Sequence, residues 1–212
     1  MSTEGSLNIS KTVRYATLGN IHNSTKLLIA LHGYGQLPRY FIRKFEQLMN
    51  EGYFIVAPEG MHRFYLEGTS GRVGASWMTR EARLDDISDN IEYLDLVASS
   101  FMQEGKFEKK VLLGFSQGGA TAARWDNLGN SLFDCCIFWG SIMPEDIDVS
   151  PMKAVGTNYH FVVGNQDPYF HGDYSVKKAI EAQQQLGLKT HVFDGKHDID
   201  ASFLKSLLAN HL

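Results

Sequence analysis

Apolar residues in this chain gather into short continuous runs, and the segments between them carry helical spacing. The clearest are Lys26–Leu31 and Tyr53–Ala57, and Lys110–Phe115, Phe133–Trp139, Tyr159–Val163 and Leu188–Phe193 are read as further strands. Runs this short and this uniformly apolar predict strands buried on both faces, as in a parallel sheet. Helical periodicity covers Arg39–Asn50, stopped by Gly52, and Leu84–Gln103. In the second of these, Leu84, Ile87, Ile91, Leu94, Val97 and Phe101 share one helical face. Further helices are predicted over Gly119–Leu128, Ser175–Leu186 (stopped by Gly187) and Ile199–Leu212. Val13–Leu18 alternates instead, which predicts an antiparallel edge strand. Strands separated by helices predict an α/β fold, with a mostly parallel central sheet and helices on both faces. The stretch Glu59–Arg80 follows neither period and holds Gly60, Gly68, Gly71 and Gly74. A long irregular stretch of this kind is expected to be functional or mobile. A length of 212 residues, without repeats or linkers, predicts a single domain over 1–212.

In such sheets, sites form at the carboxyl ends of the strands. Gly114-Phe115-Ser116-Gln117-Gly118 directly follows the apolar run that ends there and precedes a helix. A serine at a sharp strand-to-helix turn between small residues is exposed as a nucleophile. Its hydroxyl needs a base, and histidine is the usual one. Eight histidines compete: His22, His32, His62, His160, His171, His191, His197 and His211. Position selects His197, in the loop between the last strand and the last helix. His160 and His191 lie within strands, as packed or solvent-facing residues, and His32 is expected to be structural. The orienting acid is expected at Asp167, immediately after the strand ending at Val163. Asp173 falls near a helix start, and Asp194 and Asp198 flank the histidine too closely. The backbone N–H of Gln117 is the expected first oxyanion donor. Leu31-His32-Gly33-Tyr34-Gly35 follows an early strand, which makes the Tyr34 N–H the expected second.

Composition narrows the partners. The net charge of -4 argues against a nucleic-acid or anionic-membrane surface. No apolar run approaches the ~18 residues of a membrane span. The polar start, Met1-Ser2-Thr3-Glu4-Gly5-Ser6, lacks the pattern of a signal peptide, so a cytoplasmic location is expected. Adjacent Cys135 and Cys136 point to opposite strand faces and predict two free buried thiols. Arg63, Arg72, Arg80 and Arg83 make the irregular stretch basic, and Arg63 and Arg72 are candidates for holding an anionic substrate group. Trp77 and Trp139 are candidates for the pocket wall; Trp125 is expected in the core.

These motifs resemble the phospholipase/carboxylesterase family of α/β-hydrolases, which includes the acyl-protein thioesterases. The resemblance rests on Leu31-His32-Gly33-Tyr34-Gly35, Ala57-Pro58, Ser76-Trp77, Gly114 to Gly119, Asp167 and His197. It implies an α/β-hydrolase fold without a large cap domain, no metal or cofactor, and hydrolysis of carboxylic esters or thioesters. It also implies Ser116 as nucleophile, His197 as base, Asp167 as acid, and Tyr34 and Gln117 as oxyanion donors. The chain departs from the thioesterases at Gly33-Tyr34-Gly35-Gln36, where they carry a Gly-Leu-Gly-Asp type sequence, and over Met61–Arg83. A serine esterase acting on small carboxylic esters is therefore the leading expectation. A thioesterase or acyltransferase on the same residues, or a non-catalytic binding relative, are the alternatives.

Overall fold

The computed structural model describes residues 3–148, 156–172 and 175–212. Among these residues, seven strands form one sheet: β1 (Tyr15–Leu18), β2 (Lys26–Leu31), β3 (Tyr53–Pro58), β6 (Lys109–Phe115), β7 (Cys135–Trp139), β8 (Asn158–Gly164) and β9 (Lys189–Phe193). Their order across the sheet is β1-β3-β2-β6-β7-β8-β9. Only β1 runs antiparallel, pairing with β3 at the edge; the other pairings are parallel. Parallel neighbours need crossovers, and four helices lie in them: α1 (Pro38–Phe41), α2 (Arg83–Glu104), α3 (Gln117–Leu128) and α4 (Val176–Gln185), while α5 (Ala201–His211) follows the last strand.

The continuous apolar runs are explained by burial on both sheet faces. Leu27, Ile29 and Leu31 of β2 face one core, with Leu94, Val97 and Phe101 of α2 and Ala122, Ala123 and Trp125 of α3. Leu28 and Ala30 face the other, with Phe41 of α1 and Leu204, Leu207 and Leu208 of α5. The period of two therefore sorts one strand's side chains between two cores rather than between core and water. Cys135 and Cys136 split in the same way, and both are free and buried. No helix among the described residues is long and apolar enough to cross a membrane.

Two segments differ from the sequence expectation. The helix expected over Arg39–Asn50 is a single α turn, α1, followed by a 3-10 segment, Ile42–Glu51. It ends at Gly52, whose φ of 81° is the left-handed value that favours glycine. The stretch Glu59–Arg80 is not irregular: it folds into an antiparallel hairpin, β4 (His62–Glu67) with β5 (Ser70–Ser76). Its outer part is exposed on both faces, so no burial period marks it in the sequence. Its inner end is buried and bridges Ala75 to Gln36 in the loop after β2.

Candidate active site

Ser116 sits at the turn between β6 and α3 with φ 54° and ψ -121°. Ala82 is the only other non-glycine residue with positive φ among the described residues. A conformation of this kind costs about 1–3 kcal/mol and persists only where the surroundings enforce it. Here the Ser116 N–H donates to the Trp139 carbonyl at 2.9 Å, and the Gly119 N–H donates to the Ser116 carbonyl at 2.8 Å. The glycines of the motif let three elements meet. A Cβ on Gly114 would lie 2.3 Å from the Gly118 carbonyl oxygen, and one on Gly119 would lie 2.3 Å from the Ser141 Cβ. A Cβ on Gly118 would lie 2.3 Å from the Leu31 carbonyl oxygen and 2.5 Å from that of His32.

Those last contacts tie the serine turn to the loop after β2. Substituting Gly118→Ala forces backbone to move against backbone, so a loss of about 3 kcal/mol is expected. For a chain of this size that lowers Tm by on the order of 10 °C, readable by differential scanning calorimetry. A Tm within about 2 °C of the parent would contradict the close approach.

His197 lies in the loop between β9 and α5. Its Nδ1 is 2.6 Å from Asp167 Oδ2. Asp167 follows β8, and its side chain is almost fully buried, whereas that of His197 is 15% exposed. The other carboxylate oxygen, Oδ1, accepts the Tyr169 N–H at 2.9 Å. A carboxylate only accepts, so the contact places the proton on His197 Nδ1 and leaves a lone pair on Nε2. The ring is held between Phe115, with centroids 4.8 Å apart, and Tyr169, at 4.5 Å. The competing acids are engaged elsewhere. Asp194 accepts from Gln166, and Asp198 pairs with Lys44 at 2.6 Å. Asp173 lies outside the described residues.

Ser116 and His197 open into one cleft of about 1040 Å³ at the carboxyl ends of the strands. Its walls are largely apolar: Ile142, Met143, Tyr169, Phe170, Ala182 and Leu186. Gln117 also lines it. The Gln117 side chain accepts from the Trp77 N–H at 3.1 Å and donates to the Met78 carbonyl at 2.8 Å, anchoring the helix start to the end of β5. The loop after β2 is braced too. Gln36 Oε1 accepts the Gly33 N–H at 2.9 Å, and the Gly35 N–H donates to the Ala75 carbonyl at 2.8 Å. Between these braced groups, the Tyr34 N–H has no acceptor among the described residues, and neither does the Gln117 N–H.

His32 stands beneath this loop, fully buried. Its Nδ1 contacts the Gly33 carbonyl at 2.8 Å and its Nε2 accepts the Gly60 N–H at 2.9 Å, which fixes the neutral tautomer with the proton on Nδ1. Burial pushes its pKa down to about 4, against smaller opposing effects of the Gly33 carbonyl and Glu59. His32 therefore braces the loop as a neutral group.

The expected pocket residues are placed differently. Trp77 is fully buried, its ring tilted against that of His32 with centroids 5.0 Å apart, and it donates to the His32 carbonyl at 2.8 Å. Trp139 is buried against Phe193 and Phe203, with Nε1 donating to the Asp198 carbonyl. Both belong to the cores, because each indole N–H finds its acceptor in a loop backbone beneath the site. Arg63 is held by Glu59, and Arg72 pairs with Glu67 on the exposed hairpin, so neither reaches the cleft. Two other arginines do. Arg83 and Arg124 line the cleft, and both bond to Asp146, at 2.6 and 2.8 Å. Arg124 carries a readable signal: Ala120 and Arg124 follow Ser116 at steps of four, which puts them on one helical face.

The family model for serine hydrolase (FSH1) matches residues 21–201. The chain belongs to this family. Solved structures similar to this serine hydrolase include esterase PE8, at TM-score 0.71 and 19% identity, covering 95% of this chain and 100% of that one. A carboxylesterase from Mesorhizobium loti gives TM-score 0.70 and 16% identity, with 93% and 94% coverage. Zea mays acyl-protein thioesterase 2 gives TM-score 0.65 and 17% identity, with 94% and 99% coverage. At these identities the likeness is one of fold, and it is the α/β-hydrolase fold. No curated protein matches the serine hydrolase at a significant level.

Proposed function

We propose that Ser116, His197 and Asp167 are the catalytic triad of an esterase acting on small-molecule carboxylic esters. The observation that carries this reading is a strained serine opening into the same cleft as an imidazole whose Nδ1 is held by a buried carboxylate. Ser116 Oγ attacks the ester carbonyl carbon while its proton passes to His197 Nε2. The resulting oxyanion accepts from the Tyr34 and Gln117 N–H groups, for which no acceptor among the described residues competes. Both sit on braced backbone, so little reorganisation accompanies the charge. Collapse breaks the bond to the alkoxy group, which leaves with the proton from His197. Water then attacks the acyl-serine, giving its proton to the same nitrogen, and the acid is released. Asp167 keeps the base in the competent tautomer and stabilises the imidazolium.

The apolar wall supports seating the acyl group there. Ala179, Ala182 and Leu186 present one face of α4 and its end to the cleft, which Ile142 and Met143 also line. Each methylene buried there contributes about 0.8 kcal/mol, or about fourfold in kcat/KM. A p-nitrophenyl ester series is therefore expected to rise from acetate to hexanoate. Ala182→Phe is expected to cut octanoate turnover by about tenfold while leaving acetate unchanged. A flat series, or loss on acetate as well, would contradict the pocket assignment.

The same walls suit a thioester, and the fold shared with an acyl-protein thioesterase keeps that second reading open. Matched oxyester and thioester substrates with one acyl group separate the two by their kcat/KM ratio.

A further inference from the structure

We propose that His160, His191 and His211 form a zinc-binding site, separate from the serine cleft. His160 lies on β8, His191 on the neighbouring β9, and His211 in the last turn of α5. One ring nitrogen from each lies within 4.8 Å of the other two. His160 Nδ1 is 2.9 Å from His191 Nε2, and the His160 and His211 ring centroids are 4.7 Å apart. His160 is fully buried, and its Nε2 has no hydrogen-bond partner. Among the described residues no Asp or Glu side chain belongs to the cluster.

A metal ion would take His160 through Nδ1, the nitrogen that already faces His191 Nε2, and would replace that contact. Two imidazole nitrogens bound to a tetrahedral zinc at ~2.0–2.1 Å stand about 3.3 Å apart. The His160 to His191 spacing opens slightly to reach that value, and His211 closes by side-chain rotation at a helix end. Metal ligation needs neutral imidazole. Burial, reinforced by His191, His211 and Lys189, pushes the His160 pKa down to about 3, and burial lowers that of His191 too. The charged group facing the cluster is Lys189, whose Nζ is 2.9 Å from Asn158 Oδ1. Asn158 Nδ2 in turn donates to the His211 carbonyl. This ammonium opposes any cation, so only a metal with real affinity for nitrogen is expected: zinc, and not magnesium or calcium. Three protein ligands leave one position for water.

The position makes the role structural. His160 precedes the carboxyl end of β8, at Gly164, by about 13 Å of strand. An ion here would pin α5 to the sheet edge made by β8 and β9.

Titration of the full chain with ZnCl₂ by isothermal calorimetry tests the site. One ion per chain is expected, together with a Tm rise of about 5 °C at hundredfold excess over Kd. Loss of an outer partner alone costs 10–100-fold in affinity, so His191→Gln and His211→Ala are each expected to weaken binding by at least about tenfold. His197→Ala is expected to bind zinc as the parent does, and Co²⁺ is expected to give tetrahedral visible bands that His211→Ala loses. If His191→Gln does not fold, His211→Ala at the helix end decides alone. Absence of saturable binding, or binding undiminished in His211→Ala, overturns the site. So does binding that depends on His197, which would put the ion in the cleft.

Discussion

Ser116→Ala is expected to lower kcat on p-nitrophenyl butyrate by about 10⁴- to 10⁶-fold. Labelling by a fluorophosphonate probe is expected to vanish with it. The size of the loss follows from the division of labour in the cleft. In the proposed mechanism the hydroxyl is the only group that forms a bond to the substrate, and its removal leaves the imidazole with no proton to take. What survives comes from binding and from the Tyr34 and Gln117 N–H groups, worth about 10³–10⁴ over water. Because the groups act as a unit, adding His197→Ala to Ser116→Ala is expected to cost almost nothing more. The fold is expected to be unaffected: alanine keeps the Cβ, and the Ser116 backbone remains held by Trp139 and Gly119. Activity within about tenfold of the parent, or continued labelling, would move the nucleophile elsewhere.

The sheet could be read from the chain because its strands are buried on both faces. Leu27 to Leu31 is apolar throughout and too short for a typical helix, which favours a covered strand, and the same physics gives β3, β6 and β7. The carboxyl-end rule then places Ser116, Asp167 and His197 at one end of that sheet. The β4–β5 hairpin escaped for the converse reason. His62 to Glu67 is almost wholly exposed, and an exposed strand has no apolar alternation to betray it. The arginines misled because charge in a sequence does not say which carboxylate answers it. Arg63 and Arg72 are held by glutamates within their own segment, whereas Asp146, which organises the cleft arginines, comes from a different loop. Trp77 and Trp139 fell on the wrong side of the site because proximity to it along the chain is shared by its wall and by its foundation. The histidine cluster joins β8, β9 and α5, and only the sheet order brings those three together.

Asp167→Asn is expected to lower kcat by about 10⁴-fold while leaving the fold intact. The hydrogen bonds around the carboxylate dictate the outcome. Oδ1 accepts the Tyr169 N–H, and Oδ2 accepts from His197 Nδ1. Asparagine has one acceptor and one donor group. Its oxygen is claimed by the Tyr169 N–H, because placing the amide nitrogen there would set donor against donor in a buried position. The amide nitrogen then faces His197 Nδ1 and donates to it. That forces the imidazole proton onto Nε2, the nitrogen that must be bare to accept the proton of Ser116. A base in the wrong tautomer cannot act at any pH where it is neutral, so raising the pH is not expected to restore the rate. Fluorophosphonate labelling is expected to slow in proportion to kcat, since it uses the same activated hydroxyl. Nuclear magnetic resonance of the imidazole reads the tautomer directly: protonated Nδ1 in the parent, protonated Nε2 in the variant. Retention of more than about a tenth of the parent rate would mean that another acid orients His197. Asp194 and Asp198 lie nearest in sequence, but Gln166 and Lys44 already hold them away from that task.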